Sequence, residues 1–264
     1  MVHYNVFPGG TRRIVTFSYD DGNVNDERLV ALFNKYGVKG TFHLNSSRLK
    51  KREEGVDYFR TLYRGHEISC HTYDHMKSEW MTDTSMINQV LEDRKYLEEI
   101  AEYPVVGMSY PFGTYSKDTI DIMKKCGIVY SRTTKGEMRF RLPEDFMEWH
   151  PTCHHAQVDE VVDRFIAAFD VYWGDPILYI WGHSYEFRTE EDWAKMEELL
   201  KKLADRDNVW YATNIEIYNY VTAQRQLKIS ADEKIFYNPT AIDVWVDVNF
   251  GTKICIPAGK MIKL

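Results

Sequence analysis

The sequence predicts an α/β fold in which seven or eight parallel βα units close into a distorted barrel, followed by a small β appendage. Short apolar runs alternate with amphipathic helical segments from the N-terminus to about residue 225, as parallel βα units require. Gly37 and Gly127 each fall just past a helical segment and just before a strand, where a left-handed residue closes the last turn. Beyond residue 226 the period changes from helical to alternating. With 264 residues the chain is long enough to bury a sizeable core.

Strands are expected at residues 13–19, 40–45, 67–71, 104–110, 128–131, 177–183 and 208–213. Helices are expected at 26–36, 84–102, 117–126, 158–173, 190–205 and 215–224. In the second helix Met86, Val90, Leu91, Tyr96, Leu97 and Ile100 recur near the helical period, with Asp83 or Thr84 as its cap. Ser116 plays that part before Lys117. Further on, Ile242, Val244, Val246 and Val248 alternate with Asp243, Trp245, Asp247 and Asn249, the pattern of a half-buried strand. Asn249-Phe250-Gly251 offers a turn into the run Lys253 to Ile256. The expected division is a barrel over 1–225 and an appendage over 226–264 without chemistry of its own.

The formal charge of −7 argues against general affinity for nucleic acid or anionic membranes, both of which need a basic footprint. Aromatic residues reach 14%, compatible with a sugar-stacking cleft and equally with an aromatic core, where most are expected. Cys70, Cys126, Cys153 and Cys255 are widely spaced without a CxxC pair and read as reduced, buried thiols. The opening Met-Val-His-Tyr-Asn has neither charged n-region nor apolar h-region, so a cytoplasmic location is the expectation. Nothing in the sequence sets an oligomeric state.

The polar residues cluster at strand ends, where barrels of this kind place their active sites. Asp20-Asp21-Gly22 ends the first strand, His71 the third and His183 the sixth, and Pro111-Phe112-Gly113 follows the fourth. His71 and His75 would lie about 13 Å apart on an extended chain. In a helical turn their Cβ atoms come within about 6 Å, so the strand must stop near His71 and turn. Asp21 as third ligand then makes a His₂-carboxylate site with room for water. Taken singly, HxxxH and Asp-Asp-Gly are weak signals; their joint occurrence in the right βα units carries the reading.

Thr16-Phe-Ser-Tyr-Asp-Asp-Gly22 together with Gly65-His-Glu-Ile-Ser-Cys-His-Thr-Tyr-Asp-His75 resembles the polysaccharide deacetylases of carbohydrate esterase family 4, the NodB-homology domain. Lys39-Gly-Thr-Phe-His43 is similar to the family's second strand and Tyr110-Pro-Phe-Gly113 to its third motif. The resemblance implies a NodB-type barrel that removes N- or O-acetyl groups from an acetylated sugar using a divalent ion. Zinc is the expected ion, with cobalt, nickel or manganese as alternatives. It further implies Asp20 as general base, His183 as general acid, and Asp21, His71 and His75 as metal ligands. Tyr110, Phe112 and Trp149 would be oxyanion or substrate contacts, the donor being a backbone N–H near Phe112. His43, His66 and His150 are read as structure or rim, and His154-His155 as loop residues able to reach the cleft.

Two departures matter. Ser109 stands where the family carries an arginine beside the base, so Arg132 or Arg188 would have to replace it, or Asp20 would titrate higher. Glu148-Trp149 stands for the family's Asp-Trp, with Glu148 as a possible orienting group for His183. The competing functional readings are a hydrolase of a non-sugar amide C–N bond and a non-catalytic carbohydrate-binding relative.

Overall fold

The computed structural model describes residues 1–169, 171, 174 and 176–264. Its strands are β1 (Val2–His3), β2 (Arg13–Asp20), β3 (Gly40–Leu44), β4 (Glu67–Cys70), β5 (Gly107–Ser109), β6 (Tyr130–Arg132), β7 (Cys153–His154), β8 (Ile177–His183), β9 (Val209–Tyr211), β10 (Lys228–Ile229), β11 (Ile235–Tyr237), β12 (Val244–Val248), β13 (Thr252–Ile256) and β14 (Met261–Lys263). Its α-helices are α1 (Asp26–Lys35), α2 (Ser46–Leu49), α3 (Gly55–Leu62), α4 (Asp83–Ala101), α5 (Lys117–Lys125), α6 (Val162–Ala167), α7 (Glu190–Leu203) and α8 (Asn214–Arg225).

A curled parallel sheet runs in the order β6-β5-β4-β3-β2-β8-β7, and β9 pairs with the first half of β2. Beyond the β6 edge an isolated parallel bridge joins Arg132 to Trp149, in the segment that leads into β7, made by Trp149 N–H to Ser131 O at 3.1 Å and Thr133 N–H to Trp149 O at 3.0 Å. The result is the distorted (β/α) barrel expected. β2, paired with β3, β8 and β9, is buried at every position, as a strand covered on both faces must be. Alternation along it sends Val15, Phe17 and Tyr19 into the main apolar core and leaves Thr16, Ser18 and Asp20 on the opposite face. Register then aligns Asp20 with His43 on β3 and with His183 on β8.

Helix ends follow local chemistry. α4 is capped by Thr82 Oγ1, which accepts from Ser85 N–H at 3.3 Å, rather than by Asp83 or Thr84. Ser116 caps α5 as expected, and Gly37 and Gly127 take positive φ of 62° and 81°. The helix expected over 158–173 is instead a 3₁₀ segment, His155–Glu160, followed by α6, with Val161 at φ −122° between them. Val158 and Val161 are three apart, a spacing that serves a 3₁₀ turn as well as an α-helix, so both valines stay buried across the break. Residues 170, 172 and 173 of that expected helix lie outside the described residues.

The C-terminal strands form two small antiparallel sheets, β1-β12-β13 and β10-β11-β14, so the N-terminal Val2–His3 joins the appendage. The β12–β13 turn uses left-handed Asn249 and Phe250. Val244, Val246, Phe236 and Ile256 pack with Ala223 of α8, and Arg12 pairs with buried Asp247. Among the described residues no helix is long and apolar enough to cross a membrane.

Candidate metal centre and active site

Asp20 is the last residue of β2 and Asp21 the first beyond it, with φ 82°. A non-glycine residue in the left-handed region marks a backbone held by its surroundings. Gly22 follows at φ 66°, and a Cβ there would come within 3.1 Å of Leu49 and 3.2 Å of Leu44. This tight reversal gives the two consecutive carboxylates partly different neighbours, with His71 Nε2 shared between them, 3.8 Å from Asp20 Oδ2 and 3.9 Å from Asp21 Oδ1. Asp21 Oδ1 lies 3.5 Å from His75 Nε2, 3.9 Å from His71 Nε2 and 2.9 Å from Arg48 Nη1. Asp20 accepts from Ser109 Oγ at 3.2 Å and from the Arg132 guanidinium.

The two histidines are not brought together by a helical turn. β4 ends at Cys70, and the loop reverses through left-handed Thr72 and His75, at φ 60° and 57°, which brings the ring centroids to 4.7 Å. Asn45 Nδ2 donates to His71 O at 2.6 Å and Thr72 O at 2.9 Å, and His71 N–H donates to Asp93 Oδ2 at 3.0 Å. His71 Nδ1 lies 2.9 Å from the Ser109 carbonyl, which only accepts, so Nδ1 carries the proton and the Nε2 lone pair is left for a ligand. Burial lowers the pKa of His71 and takes that of His75 to about 4, keeping both rings neutral at pH 7. One ligand atom from each of Asp21, His71 and His75 lies within 4.8 Å of the others. A carboxylate and two neutral imidazoles with free nitrogens fit a divalent ion such as zinc.

Asp93 supports this centre from behind: its other oxygen accepts from Ser46 N–H at 2.8 Å, tying the loops after β3 and β4 together. Asp93→Ala is expected to weaken zinc affinity by about 10–100-fold, the usual effect of removing an outer support. A chelator competition that finds equal affinity in both proteins would refute that role.

On the other side of Asp20, His183 Nδ1 lies 3.3 Å from Glu186 Oε1, and Tyr185 stacks on the ring at 4.8 Å. Burial opposes the His183 charge, but Glu186, Asp20 and Asp21 outweigh it and its pKa rises. Glu148, the group expected to orient His183, is exposed elsewhere, and Glu186 stands in that place.

The missing arginine has been replaced from the neighbouring strand. Arg132 pairs with Ser109 in the β5–β6 register, is fully buried, and lies over the Trp181 ring at 4.5 Å. Burial would raise the Asp20 pKa, but Arg132 foremost, with His71, His43 and His183, holds it well below the carboxylate range. Arg188 is exposed, and its N–H binds Asp192.

The three expected oxyanion or substrate contacts are placed differently from one another. Phe112 is 54% exposed at φ 58°, with its ring 4.5 Å from His75. Tyr110 is buried, stacked on Tyr115, with its hydroxyl donating to Met147 O. Trp149 is fully buried among Tyr130, Phe146 and Tyr179 and offers the cleft no surface; its backbone is held by the bridge to Arg132. His43 lies buried in register with Asp20, His66 accepts from Gly40 N–H, and His150 bonds Thr133. Arg48, Trp181, Tyr185 and Glu186 are the residues sequence reasoning passed over. A signal existed for the last three, which flank His183 within five residues.

Residues 9–131 match the family model for polysaccharide deacetylase. That stretch holds Asp20, Asp21, His71, His75 and Ser109 and stops one residue short of Arg132. A peptidoglycan-N-acetylglucosamine deacetylase of Bacillus cereus is 26% identical over 110 residues, covering 41% of this chain and 50% of the relative. The chain thus spans about half the length of that curated relative. A solved structure from Mycobacterium smegmatis assigned to the polysaccharide deacetylases superposes with a TM-score of 0.63 at 18% identity, over 85% of this chain and 96% of the other. A carbohydrate esterase family 4 pseudoenzyme from Bacillus anthracis superposes at 0.54 and 14% identity, over 82% of this chain and 66% of the other. Over residues 9–131, just under half of its length, the chain is similar to the polysaccharide deacetylases, and it shares the fold of these solved structures.

Proposed function

We propose that the protein is a metal-dependent hydrolase that removes N-acetyl, or O-acetyl, groups from a carbohydrate. One observation carries this most directly: Asp20 and His183 occupy the same register on adjacent strands, beside the Asp21, His71 and His75 cluster. A divalent ion held by those three residues supplies Lewis acidity, polarising an acyl oxygen and acidifying water. Asp20, kept ionised by Arg132, accepts the proton of the attacking water. His183, oriented by Glu186, whose charge with those of Asp20 and Asp21 favours the imidazolium, delivers a proton to the leaving nitrogen or oxygen. The Phe112 backbone N–H is the proposed donor to the oxyanion. Phe112, Trp80 and Tyr185 are exposed aromatic faces, Phe112 against His75 and Tyr185 against His183, with Lys77 lying over both Trp80 and Phe112; they suit sugar rings.

Acetate release from N-acetylglucosamine oligomers by zinc-reconstituted protein tests the reading. Turnover is expected, and His183→Ala is expected to lower kcat by about 10²-fold or more, the scale of a lost proton donor. If neither acetylated sugars nor a panel of acetylated small molecules yields acetate, the enzyme reading fails. Tight sugar binding without turnover would then identify a non-catalytic relative.

A further inference from the structure

A second cluster of metal-binding side chains lies beside the first. Glu186 stands among three imidazoles: its Oε2 lies 3.0 Å from His154 Nε2 and 3.3 Å from His155 Nε2, and its Oε1 lies 3.3 Å from His183 Nδ1. One ligand atom from each of His154, His183 and Glu186 lies within 4.8 Å of the others, the same span as in the Asp21 cluster.

The cluster is built, not accidental to loose loops. His154 is placed by β7, in register with Trp181 of β8, and its ring meets the Trp181 ring edge-on at 4.9 Å. His183 ends β8, and Glu186 follows in a short 3₁₀ turn whose oxygen accepts from His183 N–H at 3.1 Å. His155 packs between Tyr19 and Phe187 and sits on Gly182, where a Cβ would come within 2.1 Å of its Nδ1. The His183 Nδ1 atom is buried and has no hydrogen-bond partner beyond its contact with Glu186. Once that nitrogen releases its proton, its lone pair faces the Glu186 carboxylate, and a cation between the two would pair with both. A cavity of about 570 Å³ reaches His154, His155 and Glu186 from the α7 side, lined further along by Asp159, Asp192 and Lys195. An ion can therefore enter without passing the Asp21 centre.

We propose that His154, His183 and Glu186 form a second divalent-cation site, and that filling it withdraws His183 from proton transfer. Two imidazoles and one carboxylate with an open position suit zinc or cobalt. The cation and a proton compete for the same His183 nitrogen, so binding releases any proton held there and leaves a ring that no longer acts as an imidazolium acid. The regulatory half rests on His183 being the acid of the proposed deacetylase; the binding half does not.

Titrating chelator-stripped protein with Zn²⁺ by calorimetry, with metal content checked by mass spectrometry, tests the site. The wild type is expected to take up two equivalents, His154→Ala and Glu186→Gln one each, and Asp21→Asn only the second. Circular dichroism confirms that each variant is folded. A single equivalent in the wild type up to millimolar zinc overturns the site, as does a second equivalent that survives both substitutions. For the regulatory half, excess zinc is expected to slow wild-type acetate release at least tenfold and to leave His154→Ala unaffected; equal inhibition of both removes it. Stoichiometry needs no turnover, so an inactive protein would sink the deacetylase reading while leaving the site open to this test.

Discussion

Asp20→Asn is expected to lower the turnover of zinc-reconstituted protein by about 10²–10⁴-fold, the contribution of a positioned general base. Metal content at the Asp21 centre should stay at one equivalent, because Asp21 and not Asp20 faces both His71 and His75 within the cluster. The substitution keeps the shape and the acceptor for Ser109 Oγ, and it removes both the basicity and the ion pair with Arg132. Steady-state kcat measured beside metal stoichiometry decides the matter. A full rate with metal retained would move the base elsewhere; a lost rate with lost metal would make Asp20 a ligand.

Arg132→Met is expected to cost about 3–5 kcal/mol of stability, because it leaves the Asp20 carboxylate buried without its cation. Both groups are almost inaccessible, Arg132 at 0% and Asp20 at 2%, so solvent screens little of the pair. The sign with pH follows from the depressed Asp20 pKa. The pair's contribution is complete above the unfolded carboxylate value of about 3.9 and is lost as pH falls through the lower folded value. Without Arg132, burial acts on Asp20 with less opposition, its pKa rises, and the acid limb of both stability and rate should move to higher pH. The double variant with Asp20→Asn should recover most of the stability lost, which a double-mutant cycle in denaturant reads directly. Additive losses would show that the two side chains do not depend on one another.

Strand and helix positions were legible because apolar period, capping side chains and closing glycines act over a few residues. The alternation in β2 that turns Asp20 inward while Val15, Phe17 and Tyr19 enter the core is written in that one strand. The HxxxH spacing was legible too, but not its geometry. Left-handed Thr72 and His75, braced by Asn45, replaced the helical turn that spacing alone suggests. The 3₁₀ break at Val161 was hidden for a related reason, since a three-residue apolar spacing serves two kinds of helix. The family resemblance implies a cleft position for Trp149, whereas its bridge to Arg132 and the aromatic packing around it bury it completely.

By itself the sequence determined the βα alternation, the paired carboxylates at a strand end and the histidines after later strands. Each is a statement about a short stretch of chain. Only the tertiary structure decided that Arg132 stands in for the arginine absent at Ser109, and that Glu186 and not Glu148 faces His183. Those pairings depend on how parallel strands align across the sheet, here Ser109 with Arg132 and Asp20 with His183. Local periodicity says which face a residue takes, but its partner on the next strand is chosen by packing of the whole barrel.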